Sequence, residues 1–371
     1  MNILALNWQD ISNPLAGGAE VHLEELLRRI VGKGHKVTLF CSGYNGSQPS
    51  ENIEGVDIIR RGNRFNFNLI APFYLRKLVK NGNYDVLLED INKIPFYTPF
   101  YLDIPTLVVI PHLFSTSVFK EINALLGLYI YLAEMPLVPV YRGRKFNVIS
   151  ESTAGDMVQK GIPADDVSVI HCGIDSTVYN FDSSLDKFDN PSILYLGRIK
   201  KYKSINHLIC AFDRVLKNIP NAKLNIVGSG DYLDALKALS NKLNLGDKIT
   251  FAGYVSEEKK VEYLRRSHVA VYPSLKEGWG LTNIEANACG TAVIAANSPG
   301  LRDSVKDGET GFLYEYGNID QLAEKLEKIL SDKNIRTDFE DGGRNWARKF
   351  SWDDAADSFL ELLETVAVGK R

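Results

Sequence analysis

Glu277 and Glu285 frame the segment Lys276-Glu277-Gly278-Trp279-Gly280-Leu281-Thr282-Asn283-Ile284-Glu285-Ala286. A glycine-flanked loop follows the first carboxylate, and a helix start precedes the second. The exposed backbone N–H groups of such a loop, with the partial positive charge of a helix N-terminus, favour an anion such as a diphosphate. Carboxylates beside a phosphate site do not bind the phosphate. They are placed to accept hydrogen bonds from hydroxyls, those of a ribose and of a sugar. A sugar-nucleotide combines both needs. Glutamates on a solvent-facing helix side are the plainer reading, and the Gly278-Trp279-Gly280 loop after an apolar strand speaks against it.

Other groups fall at the ends of expected strands. Gly17-Gly18-Ala19-Glu20 follows the first strand and opens a helix, where missing side chains let backbone approach a phosphate. Gly197-Arg198-Ile199-Lys200-Lys201-Tyr202-Lys203 follows the first strand of the second half. There Arg198 offers a fork and Lys203 a point charge to a diphosphate. Gly228-Ser229-Gly230-Asp231 ends the next strand and has the form of a nucleotide-binding turn, or simply of a tight turn. His112 stands behind Pro111 after another strand. A lone histidine is commonly structural, but this one is aimed at the mouth of the sheet.

The elements that must hold these groups read as an α/β protein. Short apolar runs at 3–7, 37–40, 56–59, 86–88, 107–110, 148–150 and 167–170 alternate with helical periodicity at 19–31, 69–80 and 153–160. The rhythm restarts with strands at 193–196, 224–227, 249–251, 269–272, 292–295 and 312–314, and helices at 205–218, 233–243, 257–266 and 320–331. Such alternation predicts parallel sheets with helices on both faces. The break falls at 175–191, where Asp, Ser and Asn gather. A last helical segment at 352–365 has no evident place in the second sheet and is expected to cross back to the first domain. Ligands of open α/β sheets sit at the carboxyl ends of the strands, so two facing sheets would make an interdomain cleft.

Bulk properties narrow the class. The 371 residues suit about two domains, and a net charge of −3 gives no general argument for nucleic-acid binding. Arg60, Arg61, Arg64, Arg76, Lys77 and Lys80 form a local basic run without an intervening acid. A solvated surface is its plain reading, and a face for anionic lipid or an anionic acceptor the sharper one. The four cysteines are scattered without a CxxC and read as buried free thiols in a reducing compartment. No HxxxH or DxD arrangement offers a metal clamp. Neither a signal peptide nor a bilayer-spanning run is visible, which predicts a cytoplasmic chain. The stretch 114–141, rich in Leu, Tyr and Phe, is expected to be a core helix pair, with a membrane-touching amphipathic segment as the alternative.

Taken together, the chain resembles the large GT4-type family of retaining glycosyltransferases with the GT-B fold. The resemblance runs nearly end to end, with its parts in the family's order. Glu277 and Glu285 match the family's Glu-x7-Glu, Gly17 and Gly18 its first glycine pair, Arg198 and Lys203 its Arg-x4-Lys, and His112 its acceptor-domain histidine. His171-Cys172-Gly173-Ile174-Asp175 resembles the lead-in to the second domain, and residues 299–303 and 307–313 resemble the closing signature. Two departures fall at turns: Ser204 where a glycine is usual, and Cys172 where an asparagine is common.

The resemblance implies two Rossmann-like, doubly wound domains facing across a cleft. Residues 1–175 would bind acceptor, residues 176–351 the nucleotide-sugar donor, and the helix over 352–371 would pack back on the first domain. It further implies transfer of a hexose from a nucleoside-diphosphate sugar, with retention, without metal or cofactor. Glu285 would hold ribose hydroxyls and Glu277 the donor sugar's. Gly228 and Gly230 would line the donor site, as would Gly278, and backbone N–H groups from Trp279 through Gly280 to Leu281 would meet the distal phosphate. Arg198 and Lys203 would stabilise the departing diphosphate, Gly17 and Gly18 would allow close approach, and His112 would line the sugar pocket. A saccharide or lipid-linked saccharide is the expected acceptor, with peripheral contact at the inner face of a membrane. The competing readings are a GT-B-like epimerase or hydrolase, which needs no acceptor, and a non-catalytic nucleotide-sugar-binding protein.

Overall fold

The apolar runs become the strands of two sheets, in a computed structural model that describes residues 1–113 and 124–369. The chain divides into two units, Met1–Gly173 with Trp352–Arg371, and Ile174–Ser351. The first contains β1 (Asn2–Leu6), α1 (Gly18–Gly32), β2 (Lys36–Cys41), β3 (Ser50–Ile53), β4 (Val56–Arg60), α2 (Phe67–Asn81), β5 (Val86–Asp90), β6 (Thr106–Ile110), α3 (Ala124–Glu134), α4 (Leu137–Val140), β7 (Lys145–Val148), α5 (Glu151–Gln159) and β8 (Val167–Val169). Its sheet has the order β3-β4-β2-β1-β5-β6-β7-β8. All neighbours are parallel except β3 and β4.

The second unit contains β9 (Ser192–Leu196), α6 (Ile205–Asn218), β10 (Lys223–Val227), α7 (Leu233–Lys242), β11 (Ile249–Gly253), α8 (Glu257–Arg266), β12 (Val269–Tyr272), α9 (Leu281–Ala288), β13 (Ala292–Ala296), α10 (Leu301–Ser304), β14 (Gly311–Tyr314), α11 (Ile319–Ser331) and α12 (Lys333–Ala347). Its six strands are parallel in the order β11-β10-β9-β12-β13-β14. The last helix, α13 (Trp352–Val368), packs on α1 of the first unit. Arg29 meets Asp353 at 2.6 Å and Lys33 meets Asp357 at 2.5 Å. Exposed pairs of this kind contribute well under about 1 kcal/mol each, so the buried Ala356, Phe359 and Leu363 do most of the holding.

Both sheets reverse winding direction once. In the first unit the chain runs outward from β1 to β2, then back to β5 on its other side. In the second it runs from β9 to β10 and β11, then to β12. The carboxyl ends of β1 and β5, and of β9 and β12, are therefore the switch points where open α/β sheets take ligands.

Several elements differ from the expectation. β3 was not legible because Ser-Glu-Asn-Ile carries no apolar alternation; it pairs as an edge through a tight turn with Glu54 and Gly55 both at positive φ. β5 runs two residues past the apolar stretch into Glu89 and Asp90, both fully buried. Glu89 is accommodated because Phe96 N–H, the Thr98 hydroxyl and the Tyr141 hydroxyl all donate to it. β7 ends at Val148, before Ser150, whose side chain accepts from Thr153 N–H and caps α5. The helix α12 contains Asp341-Gly342-Gly343, poor helix formers, and burial of Phe339, Gly343 and Ala347 beside α9 overrides propensity.

Two surface expectations also change. Arg60 is not part of a solvated basic run: it is 3% exposed and forked onto Asp10. Within 114–141 the described part does not form a core helix pair, since Leu125, Leu126, Leu128, Tyr129, Leu132 and Met135 are exposed; residues 114–123 of that stretch lie outside the described residues. Cys41, Cys172 and Cys289 are buried free thiols, with Cys210 half-buried. No described helix is long and apolar enough to cross a membrane.

Candidate functional site

In the second unit, the turn after β9 and the loop after β12 meet at the switch point. Lys203 Nζ lies 2.5 Å from Glu277 Oε1, with side chains 15% and 20% exposed. Burial alone would lower the Lys203 pKa, but Glu277 outweighs it and holds the ammonium above its ordinary value. Arg198 is exposed in the same turn and repels Lys203 electrostatically, so the two cations sit near one another. Such a pair of cations is poised for an anion.

Backbone geometry fixes these turns. Gly197 N–H donates to Val227 O at 3.0 Å and Ile199 N–H to Ser229 O at 2.8 Å, which ties the 197–203 turn to the end of β10. A Cβ on Gly228 would lie 1.9 Å from Gly197 O, so only glycine allows this approach. Gly230 belongs to the same contact, against Ile199. Both candidate glycines thus shape the turn that presents Arg198 and Lys203. Ser204, the departure from the family pattern, has φ +53, the left-handed conformation that favours glycine. Its hydroxyl lies 2.9 Å from Tyr316 Oη and its backbone N–H donates to Lys201 O, which hold it there.

α9 begins immediately after Gly280, itself at φ +83. A Cβ on Gly280 would meet Ser304 Oγ at 2.7 Å. Gly278 precedes the buried Trp279, whose ring packs edge-on against Phe350 at 5.2 Å, so the indole anchors the loop. Leu281 opens the helix, leaving early N–H groups without intrahelical partners. Glu285 lies one turn further on, 5% exposed. Burial pushes its carboxyl up from the ordinary value, while Lys260 acts against this. Lys260 Nζ is 3.2 Å from Glu285 Oε1, whereas Oε2 has no hydrogen-bond partner.

In the first unit, Gly17 caps α1 in an extended conformation and Gly18 is its first residue, with open space where its side chain would be. His112 is half-buried just past β6. β5 lies between β1 and β6, so the glycine pair and the histidine sit at strand ends two positions apart rather than side by side.

Between them lies a cluster the sequence reading missed. Asp90 is fully buried and neither carboxylate oxygen has a hydrogen-bond partner. Asn7 continues β1, whose Leu6 pairs with Glu89, and its Nδ2 is likewise unpartnered. Asn92 and Gln9 both donate to Glu20 Oε1 at 3.0 Å, and Gly17 N–H donates to Glu20 Oε2 at 2.7 Å. Burial pushes Asp90 well up, and Glu20 adds to the effect. The available signal was an apolar strand running directly into two acids. In the second unit Lys260 and Tyr179 were missed as well, because a lysine on a charged helix carries no pattern.

Residues 16–178 match the profile described as Glycosyltransferase Family 4, and residues 180–346 that of Glycosyl transferases group 1. An uncharacterized glycosyltransferase of Methanocaldococcus jannaschii is 27% identical over 98% of both chains. The fold resembles sucrose-phosphate synthase from Thermosynechococcus elongatus, with TM-score 0.83, 22% identity and 99% of each chain covered. It also resembles Anabaena HepE, solved in complex with UDP and glucose, with TM-score 0.77, 20% identity and coverage of 98% of this chain and 100% of that one. The two profiles meet near the boundary between the units, and the switch-point residues fall inside them. The chain is a glycosyltransferase: it belongs to the GT4-type family and has the GT-B fold.

Proposed function

We propose that the protein transfers a hexosyl group from a nucleoside-diphosphate sugar to a saccharide or lipid-linked saccharide acceptor, with retention at the anomeric carbon and without a metal or cofactor. The observation that carries this reading is the switch-point set of the second unit: Arg198 and Lys203 beside Glu277, with Glu285 one turn into a helix whose N-terminus follows a glycine loop. HepE, solved with UDP and glucose, supports the donor class.

In the reaction, the bond between the anomeric carbon and the diphosphate oxygen breaks, leaving an oxocarbenium-like sugar and growing negative charge on the phosphate. Arg198, Lys203 and the N–H groups from Trp279 to Leu281 stabilise that charge, the part a metal plays elsewhere. Glu277 accepts from the sugar's hydroxyls and Glu285 from the ribose. The acceptor oxygen attacks from the same face, and its proton passes to the departing phosphate oxygen. Within the first unit, Gly17 and Gly18 leave room for close approach at the start of α1, and His112 stands just past the end of β6.

The acceptor is read from the first unit. Phe65, Leu69, Phe73 and Phe100 are exposed on or near α2, and Leu125, Tyr129 and Leu132 on α3. The two helices touch where Asn68 Nδ2 donates to the Tyr129 hydroxyl at 3.2 Å. Arg64, Arg76, Lys77 and Lys80 are exposed alongside. Apolar side chains among cations suit an anionic membrane face presenting a lipid-linked acceptor.

Calorimetric titration of UDP, GDP, ADP and dTDP, with EDTA present, into wild type and Glu285→Ala tests the donor site. Tight binding of one nucleotide, weakened by the substitution, is expected. Binding of none, or binding indifferent to the substitution, would refute the reading.

A further inference from the structure

The two oxygens of Glu285 differ in a way that points beyond the glutamate itself. Oε1 faces Lys260, the Tyr179 hydroxyl also acts on the carboxyl, and Oε2 is buried without a hydrogen bond. Lys260 is not a mobile surface lysine. Its ammonium contacts the Tyr179 hydroxyl and lies 3.4 Å from Glu257 Oε1, and it sits 4.7 Å from the centroid of the Tyr179 ring. The Tyr179 hydroxyl in turn donates to Glu257. Two elements, α8 and the segment before β9, thus hold one cation against a carboxylate on α9.

A carboxylate with 5% exposure and no countercharge tends to take up a proton, which makes it a weaker acceptor and turns one oxygen into a donor. Lys260 against Oε1 opposes that uptake and fixes the rotation of the carboxylate, and the second oxygen is left for an incoming donor. We infer that Lys260, anchored by Tyr179 and Glu257, is a positioning residue that holds Glu285 so that Oε2 accepts a hydrogen bond from a ribose hydroxyl of the donor nucleotide. The inference rests on the donor-site reading above and deepens it. It also gives each glutamate of the motif its own lysine: Lys203 for Glu277, Lys260 for Glu285.

The experiment is calorimetric titration, with EDTA present, of the tightest of UDP, GDP, ADP and dTDP and of its counterpart lacking the ribose hydroxyls. The proteins are wild type, Lys260→Met, Lys260→Arg, Glu285→Gln and the double variant Lys260→Met/Glu285→Gln. Lys260→Met is expected to weaken the hydroxylated nucleotide about tenfold, the scale of one hydrogen bond to a charged group, and the deoxygenated one less than about twofold. Lys260→Arg restores most of the affinity, and Lys260→Met adds nothing once Glu285 is Gln. Equal weakening of both nucleotides, or weakening of neither, overturns the positioning role and leaves the donor site standing. Wild type that binds none of the four, or does not distinguish the hydroxyls, overturns the donor reading and this inference with it. Lys260→Gln carries the same comparison if the Met variant does not fold.

Discussion

The ammonium of Lys203 and the carboxylate of Glu277 stand 2.5 Å apart, joining the turn after β9 to the loop after β12 where the strand order reverses. Removing either partner strands the other in a largely screened site. Lys203→Met is expected to lower stability by about 1–3 kcal/mol in urea unfolding, less than a fully buried pair because some water reaches it. The double variant Lys203→Met/Glu277→Gln should cost less than the sum of the singles. Lys203→Met should also weaken a nucleoside diphosphate at least about tenfold while leaving the free nucleoside unchanged. Equal loss for both ligands would mean that Lys203 shapes the site rather than meeting phosphate.

Asp10 and Arg60 form a fork, 2.6 Å and 2.8 Å, with side chains 0% and 1% exposed. Burial would raise the Asp10 carboxyl, but Arg60 outweighs it and holds Asp10 below its ordinary value. Its stabilisation is therefore present above the unfolded-chain pKa and is lost as pH falls through the lower folded value. Asp10→Ala leaves a buried guanidinium and should cost about 3–5 kcal/mol, whereas Asp10→Leu/Arg60→Met should cost much less. Arg60 also pairs with Glu51; urea midpoints of the variants decide this, and a small loss for Asp10→Ala alone would show that Glu51 suffices as Arg60's partner.

Glu24 on α1 gives the opposite pH dependence. Burial, aided by Glu54, pushes its carboxyl from 4.5 to about 7, against the pull of Arg28. Between those values the folded protein binds a proton that the unfolded chain has released, so stability falls as pH rises and the loss is complete above about 7. Glu24→Gln removes the effect. Variant and wild type should differ least at pH 4.5, and the variant should gain about 2–3 kcal/mol relative to wild type by pH 8. A difference that stays constant with pH would exclude Glu24 as its source.

The exposed apolar and basic face of the first unit predicts binding to anionic vesicles. Wild type should sediment with phosphatidylcholine vesicles containing about one-third phosphatidylglycerol and not with phosphatidylcholine alone. Arg64→Glu/Lys77→Glu/Lys80→Glu should weaken this at least about a hundredfold, and Leu69→Ser/Phe73→Ser should weaken it without changing its salt dependence. Unchanged binding of the charge variant would remove the membrane from the acceptor reading.

Much of the second unit was legible because its candidate site is built from local geometry. A strand, a glycine turn and a helix start are contiguous in sequence, so Arg198, Lys203, Gly280 and Glu285 could be placed from the chain alone. The polar groups of the first unit were not. Asp90 and Asn7 become neighbours only through the parallel register of β1 and β5, and a buried unpartnered acid looks in sequence like any strand terminus.

By itself, then, the order of apolar runs and strand-end motifs determined an α/β chain with two windings and named the groups that could meet a diphosphate and its hydroxyls. Those are properties of residue type and short spacing. The tertiary structure alone decided which charges are paired: Lys203 with Glu277, Lys260 with Glu285, Arg60 with Asp10. It also decided that the apolar helix α3 faces outward. Pairing and burial depend on which strands and helices lie side by side, and that is set by packing among residues tens of positions apart.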